Sequence, residues 1–162
     1  MLRNFSISIL LITVLAISSC AGIAGAPTDP SKTLRNEMTF FAPIDKVWDA
    51  TIAALTEMGA TIGTINRENG VLNTQEILVD PRRANDLVRT SAIFYGSYFG
   101  CKYQLNILEK SIDKNQTKVT VVSRIQVQRG IASSAGVSKN WYAIQSNGLL
   151  EKTLFDKIQK NL

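Results

Sequence analysis

Hydrophobic and polar positions alternate along this 162-residue chain with two periods, one helical and one extended. Ile44, Val47, Trp48, Thr51, Ala54, Leu55 and Met58 recur every three or four residues, which predicts one apolar stripe of an α-helix. Pro43 suits a first-turn position, Asp45 favours the positive helix start, and Gly59 is placed as a terminator. Asp45, Lys46, Asp49 and Glu57 fall away from the stripe. Before this helix, the alternation from Leu34 to Phe41 predicts a half-buried strand. After it, residues 60–67 and 71–79 form two β-prone runs around Glu68-Asn69-Gly70, and Asn-Gly in that setting is a hairpin signal.

Two later strands alternate more cleanly. Cys101, Tyr103, Leu105 and Ile107 share one face, opposite Lys102, Gln104 and Asn106. Val119, Val121, Ser123, Ile125 and Val127 share another, opposite Lys118, Thr120, Arg124 and Gln126, with residues 112–116 turning between the strands. Residues 80–91 are polar and basic and predict a loop or short helical turn, while 129–140 read as a small-residue loop. The chain closes on a helical pattern of Leu150, Leu154, Phe155, Ile158 and Leu162, starting either near Trp141 or near Asn147-Gly148. The earlier start places Asn147 and Glu151 inside the apolar arc; the later one puts Glu151 in the first turn, where carboxylates are favourable. Trp48 and Trp141 are expected to be packing residues. Together these elements predict an α+β fold in the order β-α-β-β-β-β-α, an antiparallel meander with two helices on one face.

The N-terminus follows a different pattern. Arg3 precedes an apolar stretch from Phe5 to Ile17, broken only by Ser6, Ser8 and Thr13. Thirteen residues rise about 20 Å as a helix, short of a hydrocarbon core of roughly 30 Å, so the stretch reads as a secretory signal. It ends in Leu15-Ala16-Ile17-Ser18-Ser19-Cys20, which resembles the lipobox of bacterial lipoproteins. That resemblance implies cleavage before Cys20 and acylation of its thiol. An ordinary signal peptide cut between Ala21 and Ala26 would leave Cys20 without a role. In the same family an aspartate after the cysteine retains proteins in the inner membrane. Here Ala21 and Gly22 follow, which implies the outer membrane, with the domain facing the periplasm. The expected organisation is a signal over 1–19, a lipidated cysteine and flexible tether over 20–33, and one α+β domain over 34–162.

Composition narrows the chemistry. The chain has no histidine, which removes Ser–His and Cys–His nucleophiles and the usual metal ligand. Two cysteines without histidine also exclude structural zinc sites of the four-cysteine or two-cysteine, two-histidine kind. If Cys20 carries lipid, Cys101 has no disulfide partner and is expected in the core. The net charge is +5, or +4 without residues 1–19; so mild a positive charge suits anionic lipid or acidic partners and is too diffuse to indicate nucleic acid. No phosphate loop, paired-carboxylate motif or metal-ligand cluster appears in the sequence, so neither catalysis nor any cofactor beyond the lipid on Cys20 is expected.

From Phe40-Phe41 through Pro43, Val47-Trp48, Leu55 and Gly59 to Asn66-Arg67 and Gly70, the chain resembles the helix-grip domains of BamC/NlpB-type lipoproteins of outer-membrane assembly. BamC-type chains carry two such domains and a long N-terminal segment that grips a partner, whereas one domain and a short tether are expected here. The resemblance implies a helix-grip-like domain that binds another envelope protein. Helix-grip folds can also hold an apolar ligand between long helix and sheet, which makes a lipid carrier the alternative. A purely structural surface lipoprotein is a third reading.

Two segments are candidate binding surfaces. Phe94, Tyr95, Tyr98 and Phe99 crowd a Gly-containing segment and could meet a partner or close over a greasy ligand; equally, they could fill the core from a bent strand. Arg82, Arg83 and Arg89 could bind lipid headgroups or an acidic partner, or simply solvate a loop.

Overall fold

The helical stripe forms as its spacing predicts. A computed structural model describes residues 36–88, 99–133 and 136–162, and these belong to one compact unit, Leu34–Leu162. Helix α1 spans Ile44–Glu57 and buries Val47, Trp48, Ala50, Thr51, Ala54 and Leu55. Pro43 stands one step before the predicted first turn, as the N-cap, and its carbonyl accepts from the Lys46 and Val47 amides at 3.0 and 3.1 Å. Gly59 ends the helix at φ 71°, a left-handed geometry that costs glycine little.

Seven strands form one antiparallel sheet: β1 (Glu37–Phe40), β2 (Ile62–Asn66), β3 (Val71–Thr74), β4 (Ile77–Val79), β5 (Gly100–Asp113), β6 (Gln116–Ser133) and β7 (Gly136–Ile144). The order across the sheet is β1-β6-β5-β3-β2, with β4 also on β5 and β7 on β6. A 3-10 turn, Pro81–Arg83, leads into the short helix α2, Ala84–Leu87, and helix α3 runs from Leu149 to Asn161. The fold is α+β, with α1 and α3 packed on each other and against the long β5–β6 pair.

The register puts the two strand faces to different uses. Tyr103 pairs with Ile125 and Ile107 with Val121, and these inward residues meet Leu55, Leu154 and Ile158 from the helices, all 7% exposed or less. The Phe40 and Phe155 rings lie 6.3 Å apart. Cys101 is buried as expected, and burial pushes its thiol up from the ordinary value. Glu57, at the end of α1, accepts from Lys157 Nζ at 2.8 Å and Asn161 Nδ2 at 3.3 Å on α3, fastening the helices at one end.

The structure corrects three expectations. Residues 129–140 are not a loop: β6 continues to Ser133 and β7 returns from Gly136, with a ladder unbroken from Ile125↔Ile144 to Ser133↔Gly136. One of the small residues that suggested a loop, Gly130, marks a place where the Phe99 ring lies against the strand. The run 71–79 is not one strand either, because Gln75 and Glu76 interrupt the ladder between β3 and β4. Finally, Trp141 is not a packing residue: the last helix takes the later of its two expected starts, at Leu149 after Gly148, and Trp141 lies in β7, 39% exposed.

Candidate functional site: the outer face of the sheet

Both main helices cover the inner face, which leaves the opposite side of β5, β6 and β7 to solvent. Strand alternation sends Lys102, Gln104, Asn106, Leu108 and Lys110 outward from β5, and Lys118, Thr120, Val122, Arg124 and Gln126 outward from β6. Trp141 and Ala143 project beside them from β7, and Leu78 from β4. Among the exposed large hydrophobic residues, Leu78, Phe99, Leu108, Val122, Val137 and Trp141 belong to this face. These apolar side chains share the uncovered face with its lysines and Arg124.

Glycines shape the aromatic end of the face. A Cβ on Gly100 would stand 3.0 Å from Trp141 Cη2, and one on Gly130 would stand 2.6 Å from Phe99 Cε2. Glycine at 130 leaves the Phe99 ring room against the strand, and glycine at 100 keeps the Trp141 ring free of a tight contact. Each ring also meets a cation: Lys102 Nζ is 4.7 Å from the Trp141 centroid, and Lys139 Nζ is 4.8 Å from that of Phe99. Lys102 also pairs with Glu76 at 2.9 Å.

Beside Trp141's strand a groove of about 400 Å³ opens to solvent, lined on its outer side by Glu76, Lys102, Gln104, Arg124, Gln126 and Ala143. Charge is uneven across the face. Lys102, Lys110, Lys118, Arg124 and Lys139 project from it, while the carboxylates Glu37 and Glu76 stand at its margins. Lys118 pairs with Glu37 at 3.5 Å, and Lys110, Arg124 and Lys139 make no ion pair among the described residues.

The predicted site residues divide. Phe99 joins this face, with its amide donating to the Gln128 carbonyl at 2.9 Å. Phe94, Tyr95, Tyr98, Arg89 and Cys20 lie outside the described residues. Arg82 and Arg83 are exposed on the 3-10 turn, where Asp80 caps both amides, and the following α2 packs against α3 on the helical side. Trp141, Lys102, Lys139 and Arg124 were absent from the sequence-based site. Strict alternation on β5 and β6 already set Lys102 and Arg124 on the polar face, but Trp141 became visible only with β7.

Glu109 is a second missed feature. It continues the inward series after Ile107, is 2% exposed, and neither carboxylate oxygen has a hydrogen-bond partner among the described residues. The nearby Thr51 hydroxyl donates to the Val47 carbonyl at 2.9 Å. Burial pushes the Glu109 carboxyl up to about 7; the Thr51 hydroxyl and Arg67 pull it down, and Asp49 pushes it further up. Arg67 is itself held by Asp45 at 2.7 Å and lies 5.9 Å over the Trp48 ring. Among the described residues no group of three or more acidic or cysteine side chains could hold a metal ion, and no helix is long and apolar enough to cross a membrane.

No protein-family model matches the chain, and no curated protein matches it either.

Proposed function

We propose that the chain is a non-catalytic binding module of a bacterial envelope, anchored through lipid on Cys20 and engaging another envelope protein through the outer face of its sheet. The observation that carries this reading is the uncovered face itself: Leu108 on β5, Val122 on β6, Trp141 on β7 and Phe99 just before β5 stand exposed among lysines and Arg124. Exposed aromatic rings and an arginine are among the side chains enriched at protein recognition sites. The signal pattern ending at Cys20 supports the envelope address, with the outer membrane and a periplasm-facing domain as its destination. The likeness to BamC-type lipoproteins supports a protein partner. The inner face is filled by packed side chains such as Leu105, Ile107 and Val121, which speaks for recognition outside the sheet rather than ligand carriage beneath the helices.

Two experiments test the reading. Labelled fatty acid should appear on the wild-type chain and vanish from Cys20→Ser; unchanged labelling removes the anchor. A photo-reactive residue at Val122 should give discrete protein adducts in intact envelopes, whereas one at Asp156 on the helical side should give none. Adducts of equal yield at both positions, or at neither, defeat the assignment of the face.

A further inference from the structure

We infer that the outer face recognises an extended acidic segment of its partner, with a carboxylate side chain seated in the groove between Lys102 and Arg124. This rests on the binding role proposed for that face and names the chemistry of its occupant.

The groove is concave, so it admits a side chain from an approaching strand but not the plane of a bilayer. Its outer lining supplies donors of the kind a carboxylate accepts from: the Arg124 guanidinium, the Lys102 ammonium and the Gln126 amide. Gln104 uses its own amide nitrogen on the Thr74 carbonyl at 2.9 Å, which holds that side chain against one wall. Ala143 takes up little space at the β7 side. Lys102 is already placed, by Glu76 on one side and the Trp141 ring on the other, so its remaining N–H donors are pre-oriented while its charge is shared with Glu76. Arg124 is exposed and makes no ion pair among the described residues, so it is the free cation of the site.

The surroundings set the rest of the occupant. Leu108 and Val122 lie exposed along the same face, and the Trp141 ring stands against Lys102, one of the residues lining the groove. An extended chain sends every second side chain to one side. A segment with neighbouring acidic and apolar residues therefore meets both the cations and the exposed aliphatics. The surplus of cations over carboxylates on the face favours such a segment over a basic or neutral one and speeds its approach.

The test uses the whole chain, purified from membranes in neutral detergent micelles, and an acetylated peptide of alternating glutamate and leucine. Binding is followed by tryptophan fluorescence, to which exposed Trp141 responds while buried Trp48 provides a steady background. The expected result is saturable binding that weakens by about tenfold or more in Arg124→Glu and is lost at molar salt. Ala143→Phe, which fills the groove without changing charge, should also abolish it. Urea unfolding of both variants confirms that they are folded. Equal binding of the peptide with glutamine in place of glutamate overturns the inference. So does a response unaltered by both substitutions, or a response to phosphatidylglycerol vesicles and not to the peptide. Protein adducts at Val122 with no peptide binding overturn this inference alone, whereas absence of adducts overturns the binding role on which it rests.

Discussion

Gly70 and Glu109 are fitted to each other through their backbones. The Glu109 amide donates to the Gly70 carbonyl at 2.8 Å, and Gly70 turns the β2–β3 hairpin at φ 65° with its Cα against the Glu109 carbonyl oxygen. A Cβ at Gly70 would overlap that oxygen, which belongs to the central strand of the sheet and has nowhere to go. Gly70→Ala should therefore cost about 2–3 kcal/mol, combining left-handed strain with displacement of the strand. Gly59 provides the control. Its φ is 71°, but nothing lies within 4 Å of its missing Cβ, so Gly59→Ala should cost only about 1 kcal/mol. Urea midpoints of the two variants measure the difference, and equal midpoints would show that the close approach to Glu109 carries no weight.

The side chain of the same glutamate makes stability depend on pH. Its carboxyl is raised by burial to about 7 from an ordinary 4.5, so between these values the folded chain holds a proton that the unfolded chain has released. Stability contributed by the protonated form is full below pH 4.5 and falls as pH rises through about 7, by roughly 3 kcal/mol in all. Glu109→Gln cannot ionise. It should match the wild type in acid, exceed it above neutrality, and flatten this part of the profile. Urea denaturation across the pH range reads both curves, and parallel curves would mean that Glu109 is solvated or paired in solution.

Legibility in the sequence followed the strength of the alternation. The α1 stripe, the 101–107 and 119–127 faces and the Asn-Gly turn are dense local signals, and each forms where its pattern places it. The β6–β7 hairpin was hidden because its residues are small. Gly130 reads as a loop former until Phe99, thirty-one positions earlier, is known to lie across it. Trp141 was assigned to packing for a related reason, since nothing local distinguishes an exposed ring stacked by Lys102 from a buried one. Glu109 was within reach, because extending the inward alternation by one step beyond Ile107 places it in the core. The outer face as a site depends on which side α1 and α3 cover, a tertiary fact that no single strand records.

Ser146 and Glu151 close the start of α3. The Ser146 hydroxyl donates to Glu151 Oε2 at 2.8 Å and accepts from the Gly148 amide at 3.0 Å. Glu151 lies in the first turn, yet it is 4% exposed, so its position combines the favourable helix start with burial in the apolar arc. Ser146→Ala removes the hydroxyl and leaves the carboxylate oxygen and the Gly148 amide without it. A loss of about 2–3 kcal/mol follows from orphaning a buried carboxylate. Ser146→Thr keeps the hydroxyl and should recover most of that loss. Thermal or urea unfolding of the pair decides it, and equal destabilisation by both would assign the effect to the Val88↔Ser146 backbone bridge instead.

Gly130 separates the architecture of the outer face from the stability of the fold. A Cβ there would stand 2.6 Å from Phe99 Cε2 and 2.8 Å from Val137 Cγ1. Both neighbours are more than half exposed and lie at the rim, so they can swing into solvent rather than push on the core. Gly130→Ala should therefore shift the urea midpoint by less than about 1 kcal/mol, since surface changes away from packed features stay small. The same substitution lifts the Phe99 ring away from Val137 and Lys139, and NMR should show the Val137 methyls losing the displacement a neighbouring ring imposes on them. If the methyls stay where they are while stability drops by several kcal/mol, the ring is part of the core, and the outer face loses one of its two aromatic anchors.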